Sequence, residues 1–147
     1  MADIKRHATA NWSGDFKTGT GELSGESGYF EDLPYTFASR FKRGDGSNPE
    51  ELIGAAHAAC FNMVVAKELT AQGNPPDELT TRASVTLIEA GGGHRIASIH
   101  LRLQGKVPNT RADTFQQVAE KARDNCPVSQ LLKPGLDKVT IEVDLID

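Results

Sequence analysis

Two cysteines, Cys60 and Cys126, are the residues of this chain best suited to covalent chemistry. The thiolate is the nucleophile, and a free thiol titrates near 8.5, so reactivity depends on what surrounds each sulfur. A lone pair of cysteines is two inert buried thiols, a redox couple, or part of a metal site. Cys60 ends the run Gly54-Ala55-Ala56-His57-Ala58-Ala59-Cys60. From spacing alone it is either one more small apolar residue in a closely packed helix or a reactive thiol. Cys126 immediately precedes Pro127. If Pro127 opens a helix, Cys126 is the N-cap and the positive helix end favours its thiolate; otherwise it is a cysteine tolerated in a turn. His57 stands three residues before Cys60, on the same helical face. That pairing suits a cysteine–histidine nucleophile or two metal ligands. A structural zinc site needs four ligands, and His7, His94 and His100 lack ligand spacing, so a core histidine is the preferred reading. Arg40 is either an exposed cation or the charge that holds a cysteine as thiolate.

The elements that must position these residues are legible in the pattern. His7–Trp12 and Gly19–Ser24 are candidate strands. Tyr35–Phe41 alternates, with Tyr35, Phe37, Ser39 and Phe41 on one face and Arg40 on the other, which predicts a strand with Arg40 turned away from the aromatics. A loop, Lys42–Ser47, leads to a strong helix start: Asn48 as N-cap, Pro49 at the first position, Glu50 and Glu51 at the positive end. Asn48 and Glu51 also have capping-box spacing. This helix is predicted to run to about Gln72 and stop at Gly73, before Pro75 and Pro76. Leu52 through Leu69 is apolar or small on almost every face, which predicts a central helix buried all round. A hairpin follows, with Ala83, Val85 and Leu87 on one arm, Gly91-Gly92-Gly93 at the turn, and Ile99, Leu101 and Leu103 on the other. Thr110 to about Asp124 reads as an amphipathic helix with Phe115, Val118, Ala119 and Ala122 on its stripe. Asn125-Cys126-Pro127 breaks it, and Val128–Leu132 reads as one short helical turn. Val139, Ile141, Val143 and Leu145 mark a final strand. Helices mixed with antiparallel strands in this order predict an α+β fold.

The chain-wide properties exclude several classes. A length of 147 residues fits a single domain, 1–147, able to bury roughly 70% of its unfolded surface. A net charge of −4 argues against nucleic acid or an acidic membrane as the main partner. No run of consecutive apolar residues approaches the length of a membrane span, and the polar stretch Met1–Ala10 has no apolar signal core, so no membrane association and a cytoplasmic location are expected. Structural disulfides are rare in that compartment.

Two separated segments resemble one family. Gly46-Ser47-Asn48-Pro49-Glu50-Glu51-Leu52-Ile53-Gly54-Ala55-Ala56-His57-Ala58-Ala59-Cys60-Phe61 is similar to the signature of the OsmC/Ohr family, the osmotically inducible proteins C and organic hydroperoxide resistance proteins. Asn125-Cys126-Pro127-Val128-Ser129 resembles its Cys-Pro-x-Ser segment. Trp12-Ser13-Gly14-Asp15 and Tyr35-Thr36-Phe37-Ala38-Ser39-Arg40-Phe41 resemble the OsmC branch, so the likeness spans nearly the whole chain.

The resemblance implies an OsmC-like fold, with antiparallel sheets around a long central helix in an intertwined homodimer. It implies reduction of hydroperoxides by Cys60, a disulfide closed by Cys126, and a site completed by Arg40 and Glu50. No cofactor and no metal are implied; the reductant is a thiol or dithiol. The chemistry agrees with those roles. A thiolate displaces one peroxide oxygen from the other, a guanidinium favours the thiolate and steadies the leaving oxygen, and a carboxylate holds the guanidinium. The sulfenic acid left on Cys60 condenses with a second thiol. An apolar pocket would favour bulky organic hydroperoxides over hydrogen peroxide. Helix geometry adds one expectation. Glu50 and Cys60 are ten residues apart on one predicted helix, about 15 Å along its axis, so a two-fold dimer with Arg40 and Glu50 of one chain over Cys60 of the other is the simpler construction. The alternative of a different class is a non-enzymatic stress protein that binds small apolar ligands. A thiol–disulfide oxidoreductase without peroxide chemistry is the weaker third, since the chain lacks a CxxC pair.

Overall fold

The computed structural model describes all 147 residues, and it mixes helices and sheets in an α+β fold. The chain divides into two compact units, Met1–Leu52 and Ile53–Asp147.

The first unit is a three-stranded antiparallel sheet followed by a short helix. Strands β1 (Ala8–Ser13), β2 (Thr20–Gly25) and β3 (Leu33–Thr36) lie in chain order. The predicted strand Tyr35–Phe41 is corrected. The strand ends at Thr36, and Phe37–Phe41 is helix α1. The cause is a reciprocal capping box. The Thr36 hydroxyl accepts from the Ser39 N–H at 3.1 Å, and the Ser39 hydroxyl oxygen accepts from the Thr36 N–H at 2.8 Å. On a helix Phe37 and Phe41 are one turn apart, and their rings lie 4.9 Å centroid to centroid. Arg40 therefore sits with the aromatics, its guanidinium carbon 5.3 Å from the Phe41 ring centre, not on an opposite face. None of the buried hydrophobic residues belongs to this unit; all of them occur from Phe61 onward.

Helix α2, Pro49–Ala71, begins and ends as its sequence dictates. Asn48 caps it by accepting the Glu51 N–H at 2.8 Å, while the Glu51 carboxylate accepts from the Ser47 hydroxyl at 2.5 Å. Gly73, at φ +83°, ends it in a Schellman turn: the Asn74 N–H donates to the Leu69 carbonyl and the Gly73 N–H to the Thr70 carbonyl.

The second unit carries the core. Strands β4 (Glu78–Ala90) and β5 (Gly93–Lys106) form a long hairpin whose turn places Gly91 and Gly92 at φ +57° and +80°, a conformation L side chains rarely adopt. Helix α3 (Ala112–Asn125) and helix α4 (Pro127–Leu132) then lead to strand β6 (Lys138–Ile146). β6 pairs with β5 in parallel, which corrects the expectation of purely antiparallel sheets. A parallel partner needs a crossover, and α3 and α4 supply it. Along β5, Ala97, Ile99, Leu101 and Leu103 are buried, while Arg102, Gln104 and Lys106 on the alternate face are exposed. The buried face joins Phe61, Val65 and Leu69 of α2 and Phe115, Val118, Ala119 and Ala122 of α3 in one cluster. Burying Phe61, Val65 or Leu69 stabilises by roughly 1.5–3 kcal/mol each.

By length and composition helix α2 alone is long and apolar enough to cross a membrane, although His57, Asn62, Lys67 and Glu68 interrupt its apolar run. Its Phe61, Val65 and Leu69 are instead fully buried in the core. Contrary to the sequence reading, the helix is not buried all round: Ala55, Ala56, Ala59 and Met63 form an exposed apolar stripe, with Met63 at 74%.

A Cβ on Gly105 would overlap the Phe115 ring. Gly105→Ala is therefore expected to destabilise by about 1–3 kcal/mol through overpacking. An unchanged urea midpoint would show that the ring moves aside freely.

Candidate active site

The sequence-predicted residues come together as two pairs, one in each unit. The first pair is Arg40 and Glu50. Arg40 lies on α1, which the Thr36–Ser39 box starts. Ser39 fixes the following loop, since its hydroxyl donates to the Ser47 carbonyl at 2.7 Å and its carbonyl accepts from the Asn48 amide at 3.2 Å. These bonds set the start of α2 against α1, so that Glu50 meets Arg40. Arg40 Nη2 donates to Glu50 Oε1 at 2.8 Å, and Nε lies 3.3 Å from both carboxylate oxygens. The planar guanidinium is thus held at two nitrogens, which fixes its plane and direction. Glu50 is buried and Arg40 about one-third exposed, so the cation has one open side. Beside it is a hollow of about 310 Å³ lined by Trp12, Phe16, Tyr35, Phe37 and Phe41. Phe16 packs edge-on against Phe37 at 5.1 Å.

The second pair is Cys60 and Cys126. Cys126 ends α3 and is the N-cap of α4, with Pro127 at the first helical position, as its sequence context predicts. Its side chain makes no capping bond. Both cysteines are free thiols; Cys126 is buried and Cys60 partly so. The Cys60 thiol lies near enough to Cys126 and to the Val128 N–H at the start of α4 for both to influence its titration. Burial pushes the Cys60 thiol above its ordinary value, and the nearness of Cys126 adds to this, while the Val128 N–H opposes it. The lowered Cys60 that a thiolate nucleophile requires is thus not found in the single chain.

The sequence alone reads His57 as a core histidine and assigns Ser129 no role. The structure joins them. Both are fully buried, and His57 Nε2 lies 2.6 Å from Ser129 Oγ. Burial depresses the His57 pKa, favouring the neutral ring. A signal for this contact was available only in the shared spacing: His57 precedes Cys60 by three residues, and Ser129 follows Cys126 by three.

The comparisons with known proteins decide the family. Residues 42–142 match the model of the OsmC-like protein family. The chain belongs to the OsmC-like family. Peroxiredoxin OsmC of Escherichia coli (strain K12) is 42% identical over 142 residues, 97% of either chain. An organic hydroperoxide resistance protein of Xanthomonas axonopodis pv. citri is 34% identical over 96 residues, 64% of this chain and 65% of that one. Among solved structures, the OsmC-like protein of Mycoplasma pneumoniae superposes with a TM-score of 0.76 at 17% identity, covering 99% of this chain and 100% of that one, which shows the shared fold. The OsmC-like match spans both cysteines and Glu50 but begins at Lys42, two residues after Arg40. The relative from Escherichia coli extends the likeness over nearly all the chain.

Proposed function

We propose that this chain is a cysteine-based hydroperoxide reductase in which Cys60 attacks the peroxide and Cys126 resolves the product. The observation that carries this reading is that two free cysteines, Cys60 on α2 and Cys126 at the N-cap of α4, are near enough for one to influence the other. The relative from Escherichia coli, named a peroxiredoxin, supports it. The Cys60 thiolate attacks one peroxide oxygen, the O–O bond breaks, and the other oxygen leaves as an alkoxide that takes up a proton. Cys60 is left as a sulfenic acid. The Cys126 sulfur then attacks the Cys60 sulfur, water leaves, and a disulfide forms. An external dithiol returns two electrons and two protons. Bridging requires the two Cα atoms within about 7 Å, which this reading expects of Cys60 and Cys126.

Arg40 and Glu50 complete the site in this reading, from the second chain of a homodimer. Two features support a second copy: the exposed stripe Ala55, Ala56, Ala59 and Met63 on α2, and a first unit without buried hydrophobic residues of its own. The open side of Arg40 would meet the thiolate and the departing oxygen. The aromatic hollow beside it would take the organic part of the substrate. A cytoplasmic location accords with two free thiols.

The test is peroxide consumption by purified protein with a dithiol present. A bulky aromatic hydroperoxide is expected to give kcat/KM about 100-fold above hydrogen peroxide, the worth of burying several apolar carbons. Equal rates would remove the hollow from the substrate site. Tight uptake of an apolar molecule with no peroxide consumed would instead favour a binding protein and overturn the peroxidase.

A further inference from the structure

The two cysteines and the His57–Ser129 pair are two rungs between the same helices. α2 supplies His57 and, one turn later, Cys60; α4 and its N-cap supply Cys126 and, one turn later, Ser129. His57 Nε2 and Ser129 Oγ meet at 2.6 Å with both residues at most 1% exposed. Such a pair resembles a serine nucleophile and its base, but no substrate reaches it. It has a further peculiarity. His57 Nδ1 is buried and has no hydrogen-bond partner. A residue there only to fill space would leave no unpaired polar atom in the core, so the arrangement sacrifices stability for the one bond to Ser129. That bond spans 72 residues of chain and fixes α4 against α2 one turn from the thiols.

We propose that the His57–Ser129 hydrogen bond is a positioning strut that holds Cys126 beside Cys60 and so decides whether the Cys60 sulfenic acid is resolved or oxidised further. This rests on the peroxidase reading. Two reactions compete for the sulfenic acid. In one, the Cys126 sulfur attacks it and water leaves. In the other, a second hydroperoxide transfers an oxygen, giving the sulfinic acid and an alcohol. The first depends on the placement of Cys126; the second does not.

The experiment exposes reduced wild type, Ser129→Ala and His57→Met to a graded excess of organic hydroperoxide. It measures, on the folded fraction recovered by gel filtration, the ratio of sulfinic acid to disulfide by mass spectrometry. Both variants break the strut, from opposite sides. Each is expected to raise that ratio roughly five- to tenfold, as loss of one buried hydrogen bond implies. The burst rate of the first step, at Cys60, is expected to stay at the wild-type value. His57→Gln, which can still bond Ser129, is expected to retain the wild-type ratio. A wild-type ratio in either strut-breaking variant overturns the proposal. Wild type that forms neither disulfide nor sulfinic acid overturns the peroxidase reading itself, a separate outcome.

Discussion

Cys60→Ser is expected to reduce peroxide consumption to the rate of the dithiol alone, while Cys126→Ser still consumes one equivalent, and a second when peroxide is in excess, before stalling. The contrast follows from the proposed division of labour. A serine hydroxyl at position 60 cannot supply a thiolate, and a neutral alcohol is too weak a nucleophile to displace a peroxide oxygen. At position 126 the loss falls later. The sulfenic acid still forms at Cys60 but finds no internal thiol, and it proceeds to sulfinic acid when peroxide is in excess. Peroxide loss in a single-turnover assay, with the cysteine products read by mass spectrometry, separates the two. Turnover by Cys60→Ser at more than a few per cent of wild type would move the nucleophile elsewhere. Within one chain, burial and the nearness of Cys126 favour the neutral Cys60 thiol. The sign is clear: with its pKa raised, the thiolate fraction at neutral pH falls below that of a free cysteine, and the rate rises with pH until the group has titrated. An efficient peroxidase therefore needs a cation against Cys60.

If the chain forms the proposed homodimer, mixed dimers supply the second large effect. Cys60→Ser and Arg40→Ala are each expected to be nearly inactive alone. After mild denaturation and exchange, a mixture is expected to regain up to about one quarter of wild-type activity. Half of randomly paired chains are mixed, and each mixed dimer has one site holding both a thiol and an arginine. The argument rests on two observations. Glu50 grips the Arg40 guanidinium through two nitrogens, so the cation is aimed from its own α1–α2 corner. The stripe Ala55, Ala56, Ala59 and Met63 leaves the face of α2 open to another chain. Thiolate absorbance provides an independent check, since Arg40→Ala should titrate Cys60 at higher pH than wild type. If exchange is demonstrated by mass and no activity returns, Arg40 and Cys60 act within one chain.

What the sequence revealed was local. Asn48, Pro49 and Gly73 bound α2 because caps and turns are decided by residues a few positions apart. The same is true of Gly91-Gly92 at the hairpin and of Cys126-Pro127 at the start of α4. Tyr35–Phe41 shows how two local signals compete. Its aromatic alternation has the period of a strand, but the Thr36–Ser39 box closes a helical turn with two hydrogen bonds, and the box prevails. The parallel pairing of β6 with β5, and the bond between His57 and Ser129, join residues far apart in sequence. Nothing within a short window encodes them. Arg40 and Glu50 were found through family likeness, whereas their grip on one another depends on Ser39 and the loop it pins.

The distribution of buried hydrophobic residues has a consequence for biogenesis. Residues Met1–Leu52 leave the ribosome before the rest, yet every buried hydrophobic residue follows them in the chain. A nascent segment of this kind has backbone pairing and aromatic side chains but no interior to collapse upon. Trp12, Phe16, Tyr29 and Phe30 are exposed even in the finished chain. The thiols follow a parallel order. Cys60 emerges well before Cys126, so for the intervening 65 residues of synthesis the proposed nucleophile exists without its resolving partner. During that interval its safety lies in being an ordinary thiol, and on the proposed two-chain reading only assembly would bring Arg40 to it.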